Sequence, residues 1–209
     1  ASIGDTTTIV ATVRDAGGSV ISSPTVTWAT SNDAVATVSS AGLVTSVANG
    51  TVTITATSGS VNATAAATVA QTAANIELSD TVPTFSSLGD TVTLTATVMD
   101  ANNNTIPGAT VSWITSNSSI ATVSSAGLVT AITNGTATIT ATSGAASGVA
   151  TATVSQVAVS ITLSPTSLSF ASIGDTTTIV ATVRDAGGSV ISSPTVTWAT
   201  SNDAVATVS

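Results

Sequence analysis

An internal repeat is the feature that most constrains the fold of this chain. Residues 1–39 recur unchanged as residues 171–209. A weaker copy lies halfway between them, so that three tryptophans follow one another at equal intervals: Trp28, Trp113 and Trp198. The alignment needs no gap. Self-similarity at a fixed period indicates one structural unit repeated along the chain, which predicts tandem modules of about 85 residues each.

The repeat divides the 209 residues into three modules. Residues 1–72 form a module that lacks its opening strand, residues 73–157 form a complete one, and residues 158–209 form one that lacks its last strands. Two interpretations stay open. Either the sequence is a window onto a longer periodic polymer, or subunits complete each other by donating strands, a known mode of strand addition.

Alternating apolar residues predict β-strands. In residues 91–98 every second residue is apolar and the others are threonine, a pattern that returns in residues 51–57 and 136–142. Because successive side chains of a strand point to opposite faces, the apolar set faces a core and the threonines face outward. Turn signals such as Gly17-Gly18 separate these runs and leave room for about seven strands per module. The pattern predicts an all-β fold of immunoglobulin-like sandwiches.

Each module has one tryptophan, preceded by Val-Thr or Val-Ser: Trp28, Trp113 and Trp198. A tryptophan in the third strand of an immunoglobulin-like sandwich fills the space between the two sheets. A platform for carbohydrate is the functional alternative. The alternating β-branched residues around each tryptophan favour the core position.

Several motifs of the complete module carry a family resemblance. They are Gly-Asp-Thr-Val-Thr-Leu-Thr-Ala-Thr-Val from Gly89, Val-Ser-Trp at 111–113, Ala-Gly-Leu-Val-Thr at 126–130 and Asn-Gly-Thr-Ala-Thr-Ile-Thr-Ala-Thr-Ser-Gly at 134–144. This pattern resembles the bacterial Ig-like domain group 2 family over essentially the whole chain. The resemblance implies a building block of extracellular cell-surface proteins, such as invasin- and intimin-like adhesins, without shared catalytic residues. The absence of lysine departs from the family's usual loops.

The composition removes most catalytic mechanisms. The chain has no His, Cys, Tyr or Lys, and two arginines stand against ten acidic residues, for a formal charge of −8. Acid–base catalysis at neutral pH relies mainly on His, Lys or a tuned carboxylate, and structural zinc needs thiolate or imidazole ligands. We therefore expect no enzyme, no cofactor and no metal site. Single carboxylates beside glycine are expected to form turns rather than to bind calcium: Asp5, Asp90 and Asp175.

The same composition limits the partners and the surface. A negative chain is a poor ligand for nucleic acid or anionic membrane, and no apolar run reaches the roughly 20 residues of a membrane span. Because only 6 % of the residues are charged, a rod of such modules would either associate with its copies or be covered by sugar. Candidate glycosylation sites begin five Asn-x-Ser/Thr triplets: Asn49, Asn62, Asn103, Asn117 and Asn134. The Asn-Gly pairs at two of these suit hairpin turns: Asn49 and Asn134.

The modules follow one another without a Gly- or Pro-rich spacer, since the apolar alternation of residues 150–157 resumes in residues 158–163. This predicts an extended, fairly stiff rod. The predicted function is a structural repeat of an extracellular surface filament or stalk, whose partners are its own copies or further modules. The alternative is an adhesin module that recognises a host receptor or glycan. Loops without aromatic anchors favour the structural role, and an enzyme is a distant third.

Overall fold

The structure, a computed structural model, describes residues 1–209 and contains strands but no helix. The strands in chain order are β1 (Thr6–Thr8), β2 (Thr27–Thr30), β3 (Ala36–Val38), β4 (Leu43–Ser46), β5 (Gly50–Ser58), β6 (Val61–Val69), β7 (Asn75–Leu78), β8 (Thr84–Phe85), β9 (Thr91–Thr93), β10 (Ala96–Met99), β11 (Ser112–Thr115), β12 (Ala121–Val123), β13 (Leu128–Ala131), β14 (Gly135–Ser143), β15 (Ala146–Val154), β16 (Ser160–Ser164) and β17 (Val180–Arg184). No segment forms a helix that could cross a membrane.

The strands recur with the period of the sequence. Strand β1 is followed one period later by β9, and β2 to β6 are followed at the same spacing by β11 to β15. Strands β7 and β10 correspond in the same way to β16 and β17. The all-β fold and its period, both predicted from the sequence, are therefore confirmed.

The chain forms two compact units. Unit 1 comprises residues 1–79, 96–112 and 141–148, and unit 2 comprises residues 80–95, 113–140 and 149–209.

Unit 1 contains the sheets β1-β4-β3, β2-β5-β6 and β10-β7, all of whose pairings are antiparallel. Strands β5 and β6 form a long hairpin in which Ser58 lies opposite Val61, so that two residues make the turn. The first of these, Gly59, has a φ of +59°, a conformation that glycine adopts without steric cost.

The core of the first module lies between two of these sheets, β1-β4-β3 and β2-β5-β6. Its buried members are Ala36, Val44, Val52, Ile54 and Val69. The residues that flank Val52 and Ile54 in β5 include Thr51 and Thr53, which are exposed. Alternation along the strand therefore divides core from surface, as the sequence pattern predicts.

Unit 2 contains the sheet β12-β13-β9 and the pair β16-β17. In both, neighbouring strands are antiparallel. The short strand β8 instead pairs in parallel with β15, with Phe85 opposite Val154. Strands β11, β14, β15 and β8 form a four-stranded sheet in that order.

Residues 91–98 differ from the single strand that their alternation suggests. They form β9, which pairs with β13, and β10, which pairs with β7, with a break at Leu94 and Thr95. Leu94 and Val98 are buried while Thr93 and Thr97 are exposed, so the inward and outward faces still follow the prediction. Because the chain changes its partner sheet within one apolar run, that run forms two strands, and residues 73–157 contain nine strands rather than about seven.

Candidate functional site: two carboxylate joints

The first joint is centred on Asp100, a carboxylate that is completely buried in the turn after β10. Its Oδ1 accepts hydrogen bonds from the backbone N–H groups of Asn102 (3.0 Å) and Asn104 (2.9 Å), which close the turn on itself. Its Oδ2 accepts hydrogen bonds from the backbone N–H of Ile3 (2.8 Å) and from Nε2 of Gln71 (2.9 Å). One carboxylate thus connects the turn, the residues before β1 and the link between β6 and β7.

Amide side chains extend this joint. The side-chain nitrogens of Asn102 and Asn104 donate to the carbonyl oxygen of Ile3 at 2.8 and 3.0 Å. Gln71 is held in turn by Asn49, whose Oδ1 accepts from the Gln71 backbone N–H at 2.7 Å and whose Nδ2 donates to Gln71 Oε1 at 3.2 Å. The link between β6 and β7, which contains Gln71, is therefore hydrogen-bonded to Asp100 on one side and to Asn49 on the other.

The second joint repeats this arrangement one period later around Asp185, which is 2 % exposed. Its Oδ2 accepts from the backbone N–H of Leu88 (3.0 Å) and from Nε2 of Gln156 (2.8 Å), and its Oδ1 accepts from the backbone N–H of Ser189 (2.8 Å). Asn134 holds Gln156 by the same pair of hydrogen bonds, at 2.9 and 3.1 Å.

The turns of the two joints differ in sequence. The first reads Asp-Ala-Asn-Asn-Asn and reaches the neighbouring segment with amide side chains, whereas the second reads Asp-Ala-Gly-Gly-Ser. In the second turn the backbone N–H of Gly187 lies 3.3 Å from Oγ of Ser87, a buried serine of the neighbouring segment. The two joints thus keep the carboxylate and its glutamine, and differ in how the turn contacts the neighbouring segment.

Both carboxylates are charged at neutral pH. Burial raises the pKa of Asp100, but the hydrogen bonds from Gln71, Ile3, Asn104 and Asn102 outweigh it and hold the pKa of Asp100 well below its usual range. The hydrogen bond from Gln156 is the main cause that lowers the pKa of Asp185, against burial that raises it. No buried side-chain nitrogen or oxygen lacks a hydrogen-bond partner. Each joint therefore contains a charged carboxylate whose buried oxygens have hydrogen-bond partners.

Asp15 shows which hydrogen bonds of the joint form within the turn itself. It occupies the same place in the first repeat, where its Oδ1 accepts from the backbone N–H groups of Gly17 and Ser19, both at 2.9 Å. Asp15 is nevertheless exposed, because no neighbouring segment reaches it. The hydrogen bonds that close the turn are therefore local, and burial of the carboxylate depends on the preceding repeat.

Sequence reasoning did not single out these residues. A signal was present, since acidic residues recur in register in a chain that has only ten of them, and the glutamines follow the same spacing: Asp15, Asp100, Asp185, Gln71 and Gln156. What the pattern could not give was the burial of the carboxylates.

The aspartates that were weighed as calcium ligands lie elsewhere. Each accepts a hydrogen bond from the backbone N–H of the serine three positions before it, at 2.7 Å for Asp5, 3.0 Å for Asp90 and 2.9 Å for Asp175. Nowhere in residues 1–209 do three or more His, Cys, Asp or Glu side chains come together in a way that could hold a metal ion.

The five candidate glycosylation residues are all exposed, but their surroundings differ: Asn49, Asn62, Asn103, Asn117 and Asn134. The first and last use their side-chain nitrogens in the joints. The hairpin turn expected at these two Asn-Gly pairs is wrong, because the strands on either side belong to different sheets. Asn62 lies in β6, Asn103 has a φ of +61°, and Asn117 Oδ1 accepts from the backbone N–H of Ser119 at 3.0 Å.

The three tryptophans lie in two kinds of surroundings. Trp28 and Trp113 are half-buried in β2 and β11. Their rings lie against Gly42 and Gly127, where a Cβ atom would stand 3.0 and 3.2 Å from the nearest ring carbon. Trp198 lies outside any strand and is 36 % exposed, because residues 171–209 contain no counterpart of Gly42 or of the strands that follow it.

Comparison with known proteins gives a family match. The model of the bacterial Ig-like domain (group 2) matches residues 2–69 and 73–154. No curated protein sequence matches the chain.

Solved structures with similar folds include domains 1–6 of the surface-layer protein SbsC, at 20 % identity and a TM-score of 0.41, with 87 % of this chain and 26 % of that chain covered. Invasin, a bacterial integrin-binding protein, is 21 % identical with a TM-score of 0.45, covering 87 % and 43 %. InvD of Yersinia pseudotuberculosis is 19 % identical with a TM-score of 0.35, covering 86 % and 65 %. The chain thus spans about a quarter of the SbsC fragment.

Proposed function

We propose, since the chain belongs to the bacterial Ig-like domain (group 2) family, that it is a structural repeat segment of an extracellular surface filament or stalk. The family assignment confirms the resemblance drawn from the sequence and the cell-surface location that it implies. The segment would act through length and stiffness. It would carry no catalytic residue, in keeping with a composition that lacks His, Cys, Tyr and Lys.

The two carboxylate joints carry this proposal. A flexible tether would leave the link between repeats solvated, whereas Gln71 and Gln156 are bonded to a buried carboxylate and to an asparagine at once. Bending at either link would separate a charged carboxylate from its donors, and hydrogen bonds to charged groups are among the stronger ones in proteins. We therefore place the module boundaries near residues 72 and 157 and expect a stiff, extended rod.

Association between copies is the second part of the proposal. Charged residues make up 6 % of the chain and none of them is a lysine, the residue that commonly protects exposed strand edges from pairing. The partners would be further copies of the chain or further modules of the same chain, bound side by side or by strand complementation.

Electron microscopy of native, unproteolysed material tests the proposed function. Filaments longer than any single chain, with an axial repeat that corresponds to one or two modules, would support an assembled structural fibre. Separate rods of fixed length that end in a distinct head would instead make the modules the stalk of an adhesin. Compact particles without a rod would contradict both.

A further inference from the structure

Both Asn-Gly pairs of the chain lie where a joint meets a strand: Asn49-Gly50 at the start of β5 and Asn134-Gly135 at the start of β14. In such a pair the backbone nitrogen of the glycine can attack Cγ of the asparagine, because the glycine has no Cβ atom to hinder the approach. The Cγ–Nδ2 bond then breaks, ammonia leaves with the proton of the glycine amide, and a cyclic succinimide remains. Water opens this ring to aspartate or to isoaspartate. Each joint therefore contains a pair that can deamidate without an enzyme.

Both residues of each pair have a structural role. A Cβ atom added at Gly50 would lie 3.0 Å from Cγ2 of Val35, and one added at Gly135 would lie 2.9 Å from Cδ1 of Ile120. The asparagine before each glycine holds the glutamine of its joint. Close packing and the hydrogen bonds to glutamine together explain why a chemically labile pair stands at this place in both repeats.

The joint holds the asparagine carboxamide by both of its polar atoms. Oδ1 of Asn49 accepts from the Gln71 backbone N–H at 2.7 Å, and its Nδ2 donates to Gln71 Oε1 at 3.2 Å. Ring closure makes Cγ tetrahedral and removes Nδ2, so it breaks the second hydrogen bond and displaces Oδ1 from the first. Gln71 is itself fixed, because its Nε2 donates to Asp100 at 2.9 Å. A closed joint therefore opposes the reaction.

The second joint holds its asparagine in the same way. Asn134 is bonded to Gln156 at 2.9 and 3.1 Å, and Gln156 donates to Asp185 at 2.8 Å. Both asparagines are exposed, so water reaches them once the carboxamide is released. The hydrogen bonds of the joint, and not burial, are what protects these two side chains.

The product of the reaction would keep a joint open. An ionised aspartate in place of Asn49 has only acceptor oxygens, so it cannot donate to Oε1 of Gln71. If the Gln71 carboxamide turns round to donate to the new carboxylate, its oxygen faces Asp100, which then loses a donor. Isoaspartate adds a backbone methylene group at the start of β5 as well. Deamidation therefore separates the glutamine from one of its two partners.

We propose that Asn49 and Asn134 are deamidation sites: a closed joint protects the carboxamide, and opening of the joint leads to its loss. The reacting group is the Asn-Gly pair itself, and water is the only co-reactant. Each joint thus changes irreversibly in proportion to the time that it spends open. This inference rests on the joints that carry the proposed function, but it does not require association between copies.

Mass spectrometry of the full chain, incubated at mildly alkaline pH and then digested with pepsin, tests the inference. Replacement of an amide nitrogen by oxygen changes the mass of the peptide, and electron-transfer fragmentation separates aspartate from isoaspartate. Asn49 and Asn134 should each deamidate about tenfold or more slowly in the folded chain than in the chain unfolded by guanidinium. Asn117, which is followed by Ser118, serves as an exposed asparagine outside the joints.

Two matched variants assign the protection to the joints. Gln71→Ala should accelerate deamidation of Asn49 about fivefold or more and leave Asn134 unchanged, because Gln71 bonds only the first of them. Gln156→Ala should accelerate deamidation of Asn134 and leave Asn49 unchanged. Neither variant should change the rate at Asn117. Equal rates in the folded and unfolded chain, or equal acceleration at both sites in either variant, would overturn the inference.

A substitution that imitates the product tests the effect on the joint. Asn49→Asp should accelerate hydrogen exchange of the Ile3 amide and leave the Leu88 amide unchanged, and Asn134→Asp should affect only Leu88. Full protection of both amides in both variants would contradict the irreversible change. Native filaments whose asparagines react as fast as in the unfolded chain would contradict only this inference, and protected asparagines without filaments or rods would contradict only the proposed function.

Discussion

Replacement of Gly42 by alanine should destabilise unit 1 more than the same replacement at any other turn glycine of that unit. Gly42 has a φ of +77°, where a residue with a Cβ atom costs about 1–2 kcal/mol. The added Cβ would also press on the carbonyl oxygen of Ile9 and stand 3.0 Å from Cζ2 of Trp28. Both neighbours are held in place, since the Ile9 N–H donates to the Gly42 carbonyl at 2.8 Å and Trp28 packs against the core.

Gly18 provides the control that separates strain from packing. Its φ is +86°, and an added Cβ would meet nothing within 4 Å. Gly18→Ala should therefore cost only the backbone term of about 1–2 kcal/mol. Gly42→Ala should add about 1–3 kcal/mol for overpacking, which makes a total of about 2–5 kcal/mol. The packing difference corresponds to about a 5- to 150-fold change in an opening equilibrium.

Hydrogen exchange followed by mass spectrometry measures this difference locally, which matters because a chain of several modules does not unfold in two states. Amides of β4 and β5 should exchange faster in Gly42→Ala than in Gly18→Ala by that factor. Gly127→Ala, whose Cβ would meet Leu94 and Trp113, should repeat the effect in β13 and leave β4 unchanged. Equal exchange in Gly42→Ala and Gly18→Ala would refute the contribution of the tryptophan contact.

Three further predictions concern the joints. Gln71→Ala should accelerate hydrogen exchange of the Ile3 amide about tenfold or more and leave the Leu88 amide unchanged, because each glutamine donates to the carboxylate of its own joint. Gln156→Ala should accelerate exchange at Leu88 and leave Ile3 unchanged. A change of both amides in either variant would contradict independent joints. The pKa of Asp100 in the folded chain lies below its unfolded value near 3.8. The contribution of Asp100 to stability is therefore complete above that value and is lost as the pH falls through the folded pKa. Protection of the Ile3 amide against hydrogen exchange should decline only below about pH 4. Mass spectrometry of native material should find the triplets of Asn49 and Asn134 unmodified, because the side-chain nitrogen that a glycan would occupy already donates a hydrogen bond to glutamine.

Much of the fold follows from the sequence because its signals are one-dimensional. A fixed period survives any arrangement in space, so the strands repeat at the same interval as the tryptophans. Side-chain alternation is a property of the extended chain, which is why Leu94 and Val98 are buried and their threonine neighbours exposed. The partner of each strand is not encoded in this way. The same run therefore gave no indication that β9 and β10 join different sheets.

The candidate site depended on tertiary structure for a different reason. Asp15, Asp100 and Asp185 occupy equivalent turns, yet only the last two are buried, because a backbone N–H and a glutamine from the preceding repeat reach them. The sequence around Asp15 is identical to the sequence around Asp185, so nothing local distinguishes a solvated turn from a joint.

The two identical segments show, within one chain, which features the sequence determines and which features depend on tertiary structure. Residues 1–39 and 171–209 have the same sequence, but Trp28 is half-buried in a strand and Trp198 is 36 % exposed outside any strand. The sequence by itself determined the period, the alternation and the turns, since these depend on neighbours along the chain. Tertiary structure decided which of these segments become paired and buried, because burial requires strands β4 to β6, which follow the first segment and have no counterpart in the second.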